Sequence, residues 1–287
     1  MVTFLKNNEV YLIGEIGINH NGDIQIAKKL IDAVNACGWQ CAKFQKRTPE
    51  VCVPKDQWEK NRSTPWGEMR YIDYKKKIEF EKSQYDIIDA YSSEKPIDWT
   101  ASVWDLSSLE FLASYKNIPF VKIPSAMMTH QDLVTETAKL GKPVVISTGM
   151  STLKEVDDAI NNLKKHTNDI IIMHTNSSYP TPIEELNLNL IPFLKERYGC
   201  TVGYSGHEED LEPTVIAVTL GARVIERHIT IDRNMWGTDQ KASLSVHGMD
   251  MLKKRIENIK LHQTKKNNIH IAINLDKIEN SKIKLKE

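Results

Sequence analysis

Two lysines stand where lysine is costly. Lys43 lies in Cys-Ala-Lys-Phe-Gln and Lys122 in Phe-Val-Lys-Ile-Pro, each inside a short apolar run. A buried ammonium without a counter-charge costs several kcal/mol, so each needs an anion. An internal partner, Glu15 or Glu226, is one solution; a ligand phosphate or carboxylate gripped between the two lysines is the other. Ser102, Ser125, Ser147, Ser177 and Ser205 fall at the ends of such runs, and backbone N–H groups near Gly149 can join their hydroxyls around an anion. One serine so placed means little, whereas five describe an anion site. His207 and His228 end two successive apolar runs. Two imidazoles can share a divalent ion and leave it open to water and substrate, as a Lewis acid requires. Imidazole and oxygen ligands suit manganese, iron, cobalt or zinc; two hydrogen-bonded structural histidines are the alternative. Asp239 taken alone reads as a turn residue and Trp236 as loop packing. Tyr179-Pro180-Thr181-Pro182 reads first as a rigid turn, and second as a tyrosine pinned over a site.

These residues must be positioned by elements, and the apolar pattern supplies them. β-branched runs alternate with helical periodicity along the chain. Strands are expected at 11–17, 41–45, 98–102, 120–125, 143–149, 169–175, 201–207 and 223–230. Helices are expected at 24–37, 84–93, 106–115, 131–140, 153–165, 183–198, 211–220 and 247–262. Asp23, Asp105, Thr152 and Asp210 are placed to cap helix starts, and Gly38, Gly141, Gly199 and Gly221 follow helix ends. Near-continuous apolar strands such as Val144-Val145-Ile146 and Ile170-Ile171-Ile172 suit a parallel sheet covered on its outer face. Eight strands in strict alternation with eight helices predict a closed (β/α)8 TIM barrel, an α/β fold in a single domain, over an open doubly wound sheet. In such barrels active sites sit where strands end. The polar residues collect there: Glu15, Lys43, Gln45, Ser102, Lys122, Ser125, Ser147, Ser177, Ser205, His207, Glu226 and His228.

The barrel is expected to occupy residues 1–263, with a long polar loop at 46–82 that reads as a lid, a binding loop or a disordered insert, with room for a short helix near its end. Residues 264–287 read as a tail, a further strand or a linker remnant. The 287 residues, 40% hydrophobic and 26% charged, suffice for one barrel of about 250 residues. Thirty-eight basic residues balance thirty-eight acidic ones, so no global field attracts nucleic acid or anionic lipid. The apolar stretch at 11–18 is broken by Glu15 and does not read as a signal peptide, and no run approaches the ~20 apolar residues that span a bilayer. Cys37, Cys41, Cys52 and Cys200 form no C-x-x-C pair, which fits a reduced, cytoplasmic compartment.

Read in order, several strings resemble the sialic acid (N-acetylneuraminate) synthase family: Gly-Glu-Ile-Gly-Ile-Asn-His-Asn-Gly-Asp (14–23), Ala-Lys-Phe-Gln-Lys (42–46), Ser-Thr-Gly-Met (147–150), Gly-Tyr-Ser-Gly-His-Glu (203–208), Glu-Arg-His-Ile-Thr (226–230) and Gly-Thr-Asp-Gln-Lys-Ala-Ser-Leu (237–244). The resemblance spans roughly residues 11–262. It implies a transferase of sialic acid biosynthesis that joins phosphoenolpyruvate to the aldehyde of open-chain N-acetylmannosamine or a related sugar, releasing phosphate. It further implies that Lys43, Ser102, Lys122, Ser125, Ser147, Ser177 and Ser205 hold phosphoenolpyruvate, and that His207 and His228 hold a divalent metal, usually Mn2+. By the same resemblance Gln45, Tyr179, Glu226 and Asp239 face the sugar, Glu15 orients or deprotonates water, and the enzyme is a homodimer.

Two departures accompany it. A family position that is commonly acidic and contacts the sugar is Met127 here. Family members also usually carry a C-terminal antifreeze-like domain that brings an arginine to the partner's sugar, and the sequence ends at Glu287, too soon for one. Another chain supplying that domain, a shortened chain and a barrel-only relative are all compatible with this. Competing readings are a synthase for legionaminic, pseudaminic or another 3-deoxy sugar acid and, from a different class, a barrel that binds a ligand or partner without catalysis.

Overall fold

In the computed structural model, residues 4, 5 and 9–262 are described, with side chains to residue 259. The predicted tail at 264–287 lies outside these. The elements run β1 (Tyr11–Gly17), α1 (Ile24–Ala36), β2 (Cys41–Lys46), α2 (Pro49–Cys52), β3 (Asn61–Thr64), β4 (Gly67–Arg70), α3 (Tyr71–Ile78), α4 (Lys82–Ser93), β5 (Asp98–Val103), α5 (Leu106–Ala113), β6 (Val121–Ile123), α6 (Gln131–Lys139), β7 (Val144–Ser147), α7 (Leu153–Lys164), β8 (Ile170–Thr175), α8 (Leu190–Tyr198), β9 (Thr201–Gly206), α9 (Glu212–Thr219), β10 (Val224–His228) and α10 (Val246–His262). All the strands but β3 and β4 form a closed parallel barrel in the order β1-β10-β9-β8-β7-β6-β5-β2. The TIM barrel is thus present, and the open sheet is not.

Side chains alternate across each strand, and the alternation divides the interior by height. Tyr11, Ile13, Cys41, Phe120, Val145, Ile171, Met173 and Val224 plug one end of the barrel as a separate apolar cluster. Two residues further along the same strands, the inward positions become Glu15, Lys43, Lys122, Ser147 and Glu226. Residues of opposite parity, such as Leu12, Ala42, Phe44, Ile123, Ile146, Ile172 and Ile225, belong to the larger core between strands and helices. The costly polar residues therefore occupy one layer at the C-terminal ends of the strands.

Helix ends follow local chemistry. Asp23 caps α1 through Gln25 N, Asp105 caps α5 through Ser108 N, and Thr152 with Glu155 forms a reciprocal capping box on α7. Gly199 closes α8 at φ 63°, where its lack of a Cβ removes the strain. Two expectations are corrected. Leu211 rather than Asp210 starts α9, without a side-chain cap; the Asp210 carbonyl instead accepts from Arg227 Nη1 at 3.1 Å. The helix expected from 183 begins at Leu190, because Asn187 takes a positive φ of 43° after a single 3-10 turn at Ile183–Glu185.

The long loop is a built lid. It carries α2, the antiparallel hairpin of β3 and β4, and α3. Only a short helix near its end was expected. The lid is tied down at its base, where Lys46 Nζ donates to Phe80 O (2.9 Å) and Glu79 pairs with both Lys46 (3.5 Å) and Arg47 (3.3 Å). His20, in the turn after β1, stacks on Phe80 with ring centres 3.9 Å apart.

Candidate active site

Strand register brings the charged layer together. Glu15 lies beside Lys43 across β1–β2 and beside His228 across β1–β10, Ser102 beside Lys122 across β5–β6, and Glu226 beside Ser205 across β10–β9. Lys43 Nζ stands 2.5 Å from Glu15 Oε2, 3.5 Å from Glu226 Oε1, and donates to Ser102 Oγ at 2.8 Å. Lys122 Nζ donates to both Glu226 oxygens at 3.0 and 2.9 Å, and Ser205 Oγ donates to Glu226 Oε1 at 3.1 Å. All four charged groups are almost wholly buried. The internal pairing left open by the sequence is therefore present, yet both lysines also line the cavity at the barrel mouth. Two cations and two carboxylates cancel within this layer.

The pairing is uneven. Burial acts to depress the Lys43 ammonium, but Glu15 and Glu226 outweigh it and leave the group above its ordinary value. Burial wins at Lys122, where Glu226 is the main opposing charge and Lys43 adds repulsion, so that ammonium titrates below its ordinary value. Burial also works against ionised Glu226, but Lys122 and then Lys43 hold it well below the usual carboxylate range. Lys122 is the less compensated of the two cations.

The cavity has a volume of about 180 Å³. It is lined by Glu15, Lys43, Gln45, Ser102, Lys122, Ser125, Ser147, Ser177, Tyr179, Ser205, His207, Glu226 and His228. Of the residues expected at the site, Asp239 alone stands outside this lining, with Oδ2 3.8 Å from His228 Nδ1. Ser147 Oγ is buried with no hydrogen-bond partner, an expensive state unless something else satisfies it. Gly149 makes room for two further hydroxyls: a Cβ there would overlap that of Ser177 and stand 2.8 Å from that of Ser125. The Ser125 and Ser177 hydroxyls thus converge on the Gly149 backbone, and both serines line the cavity.

The imidazoles are neighbours, with ring centres 5.5 Å apart. His207 Nδ1 lies 2.5 Å from the Asn176 carbonyl. A carbonyl only accepts, so the proton is on Nδ1, and Nε2 carries the lone pair that takes the Tyr179 hydroxyl at 2.9 Å. Burial first, then neighbouring His228, lowers the His207 pKa to about 3, which keeps the ring neutral. His228 Nδ1 is buried without a hydrogen-bond partner. Among the described residues no cluster of three or more His, Cys, Asp or Glu side chains suits a metal. The donor set is two adjacent imidazoles, with one lone pair reached only by a tyrosine hydroxyl and one orphaned nitrogen; this fits an ion that takes its remaining ligands from water or substrate. Tyr179 stacks on His207 at 4.0 Å and stands edge-on to His228 at 5.7 Å, so its pinning over the site, the second of the two sequence readings, is realised.

Several site residues were not foreseen. Arg47 hydrogen-bonds Gln45 Oε1, whose Nε2 in turn donates to Glu15 Oε1 at 2.9 Å. Trp104, Met150 and Thr175 also line the cavity. Arg227, flanked in sequence by Glu226 and His228, points the opposite way; it is fully buried and pairs with Glu208 at 3.0 Å, while Glu208 also accepts from Tyr204 OH at 2.8 Å. This pair fixes the ends of β9 and β10 from behind. The Glu226-Arg227-His228 string contained that signal, since a strand must send its middle residue to the outer face. Met127 is partly buried against the outer core, so position 127 adds no acid.

A buried layer of paired lysines and glutamates, two adjacent imidazoles and a lid at the C-terminal face of a (β/α)8 barrel define an enzyme-like site. A model described as the NeuB family matches residues 30–268, and the chain belongs to that family. It is 38% identical over 258 residues to the N-acetylneuraminate-9-phosphate synthase of Drosophila melanogaster, covering 88% of this chain and 69% of that protein. It is 33% identical over 257 residues to the N,N'-diacetyllegionaminic acid synthase of Campylobacter jejuni, covering 86% and 75%. The crystal structure of N-acetylneuraminic acid synthetase from Leptospira borgpetersenii in complex with citrate superposes with a TM-score of 0.84 at 28% identity, over 95% of this chain and 91% of that one. The chain is accordingly an enzyme of the synthase type for which its relatives are named.

Proposed function

We propose that the enzyme condenses phosphoenolpyruvate with the aldehyde of an open-chain N-acetylhexosamine, N-acetylmannosamine or a near relative, giving a sialic acid-type nonulosonic acid and phosphate. The observation that carries this reading is Ser147 Oγ, buried without a partner in the lining of the cavity that the Lys43 and Lys122 side chains also line. That combination suits a compact molecule bearing both a phosphate and a carboxylate. Lys122 and Lys43 would exchange part of their internal pairing for the ligand's charge, while Ser102, Ser125, Ser147, Ser177 and Ser205 orient its oxygens.

His207 and His228 would hold a divalent ion, Mn2+ in this reading, which when bound supplies Lewis-acid polarisation of the aldehyde oxygen. Tyr179 and Gln45 position the sugar against those imidazoles, and Asp239 borders the same side. The enol carbon of phosphoenolpyruvate, held by the lysines, then bonds to the aldehyde carbon. Glu15, hydrogen-bonded by Gln45, orients the water that adds to the resulting cationic carbon and takes its proton. Phosphate leaves from the tetrahedral carbon with the proton of the added hydroxyl as the ketone forms, and the proton taken by Glu15 passes to the alkoxide left by the aldehyde. Glu226 keeps Lys122 protonated throughout. Action in the cytoplasm as a homodimer completes the proposal; the four free cysteines suit a reducing compartment.

The test is a screen of N-acetylhexosamines and their 2,4-diacetamido relatives with phosphoenolpyruvate, with and without Mn2+ after chelation, following phosphate and product mass. Product of the expected mass, formed only with phosphoenolpyruvate and restored by Mn2+, is expected. Equal activity before and after metal loading would remove the two histidines from the mechanism. Preference for a diacetamido sugar would move the product to the legionaminic or pseudaminic class.

A further inference from the structure

Strand β2 ends in an alternating polar set. Lys43 and Gln45 both line the cavity, and Arg47 continues their parity just past the strand. Glu15 uses the first two: its Oε2 stands 2.5 Å from Lys43 Nζ, and its Oε1 accepts from Gln45 Nε2 at 2.9 Å. A carboxylate held at both oxygens keeps one plane, so Gln45 sets the aim of Glu15 as much as Lys43 does.

The Gln45 amide has no preferred direction of its own. It carries an acceptor at one end and donors at the other, and turning it over would set Oε1 against the Glu15 carboxylate. Arg47 removes that freedom. Its Nη2 donates to Gln45 Oε1, and a guanidinium has donors but no acceptor. Oε1 must therefore face Arg47, and Nε2 must face Glu15. Tyr85 OH fixes the backbone of the same residue by donating to the Gln45 carbonyl at 3.0 Å.

Arg47 is held where the two ends of the lid meet. Its backbone N–H donates to Glu79 Oε1 at 2.9 Å, its Nε stands 3.3 Å from Glu79 Oε2, and its Cζ lies 4.9 Å from the ring centre of Trp104, a cavity residue. Pairing with Glu79 would by itself describe a structural arginine. Yet Lys46 already pairs with that carboxylate at 3.5 Å, and Arg47 Nε makes no hydrogen bond to it. The directed bond of the guanidinium goes to Gln45 instead. Arg47 is not among the residues that line the cavity, so any effect it has on the reaction passes through Gln45.

We infer that Arg47 is a positioning residue: it locks the Gln45 amide with its NH2 toward Glu15 and thereby aims the carboxylate that directs water. This rests on the condensation proposed above, in which Glu15 orients that water. The experiment measures turnover with phosphoenolpyruvate, Mn2+ and the sugar preferred in the screen, in the wild type, Arg47→Met, Gln45→Leu, their double variant and Glu79→Gln. Arg47→Met is expected to lower kcat about tenfold, the worth of one charge-assisted hydrogen bond, while calorimetric affinity for phosphoenolpyruvate stays within about twofold. Added to Gln45→Leu, it should lower kcat no further, because the two residues act as one unit. Glu79→Gln leaves the contact between Arg47 and Gln45 in place and should hold kcat within about twofold of the wild type. An unchanged kcat in Arg47→Met, the same loss in both backgrounds, an equal loss in Glu79→Gln, or a loss carried by phosphoenolpyruvate affinity would each overturn the inference.

Should Arg47→Met fail to fold, Arg47→Met combined with Glu79→Gln takes its place, with Glu79→Gln as the reference. A wild type without phosphoenolpyruvate-dependent turnover defeats the condensation, and the amide itself is then read in nitrogen–proton correlation spectra. The two Gln45 amide protons, assigned by their loss in Gln45→Leu, are expected to be widely separated in the wild type, because one faces a carboxylate. In Arg47→Met that separation should collapse toward the value of a free glutamine; an undiminished separation would show that Arg47 does not orient the amide.

Discussion

Lys122 carries opposing demands. Desolvation disfavours its charge, Glu226 restores it, and Lys43 repels it. Removing one member of a buried pair leaves the other uncompensated and costs about 3–5 kcal/mol. Lys122→Met should therefore lower unfolding stability by about that amount, and adding Glu226→Gln should return most of it. Denaturant unfolding of the single and double variants checks this; a single variant as stable as the wild type would mean that Glu226 is not held by Lys122. Lys43 and Lys122 were visible in the sequence because a charge inside an apolar strand has few explanations. Arg47 and Glu79 were not, since their contacts depend on how the lid returns to the barrel, and no local periodicity encodes that. The internal carboxylate partners were legible only as alternatives: spacing says that a lysine needs an anion, but not which one.

At the scale of elements, strand parity did most of the positioning. A single two-residue step separates the apolar plug from the charged layer on β1, β2 and β10, so each strand's sequence assigned its own inward residues. The hairpin of β3 and β4 is not legible because Asn-Arg-Ser-Thr and Gly-Glu-Met-Arg lack apolar alternation; Met69 alone of its apolar side chains packs against the cluster of Ile18, Tyr74 and Ile78. The start of α8 was misplaced for a related reason, since the left-handed Asn187 is a backbone event that composition only hints at. The lid's junction with the barrel also makes a pH prediction. His20, buried against Phe80, has its pKa lowered to about 3, by burial first and then by Arg47. The unfolded chain takes up that proton near pH 6.5 while the native state refuses it. The stability is complete above about 6.5 and is lost as pH falls toward 3, by on the order of 1.4 kcal/mol per pH unit for this group. His20→Gln should flatten the slope of unfolding free energy below pH 6.5. An unchanged slope would show that His20 is protonated in the native state.

For the molecule as a whole, balanced charge leaves recognition to local fields. The barrel concentrates them at one rim, where a neutralised quartet of two lysines and two glutamates lines the same cavity as two adjacent imidazoles. The closed topology was legible because alternating strands and helices with apolar strands admit few folds. The contact of Tyr74 with Trp236 was not, because those residues lie far apart in the chain and only the folded lid brings them together. The most direct test is a calorimetric titration of phosphoenolpyruvate into the wild type, Ser147→Ala and Lys122→Met, with circular dichroism showing each variant folded. Saturable binding to the wild type is expected, weakened about tenfold by Ser147→Ala and at least about a hundredfold by Lys122→Met. Folded variants that bind phosphoenolpyruvate as tightly as the wild type would contradict the assignment of this layer as the anion site.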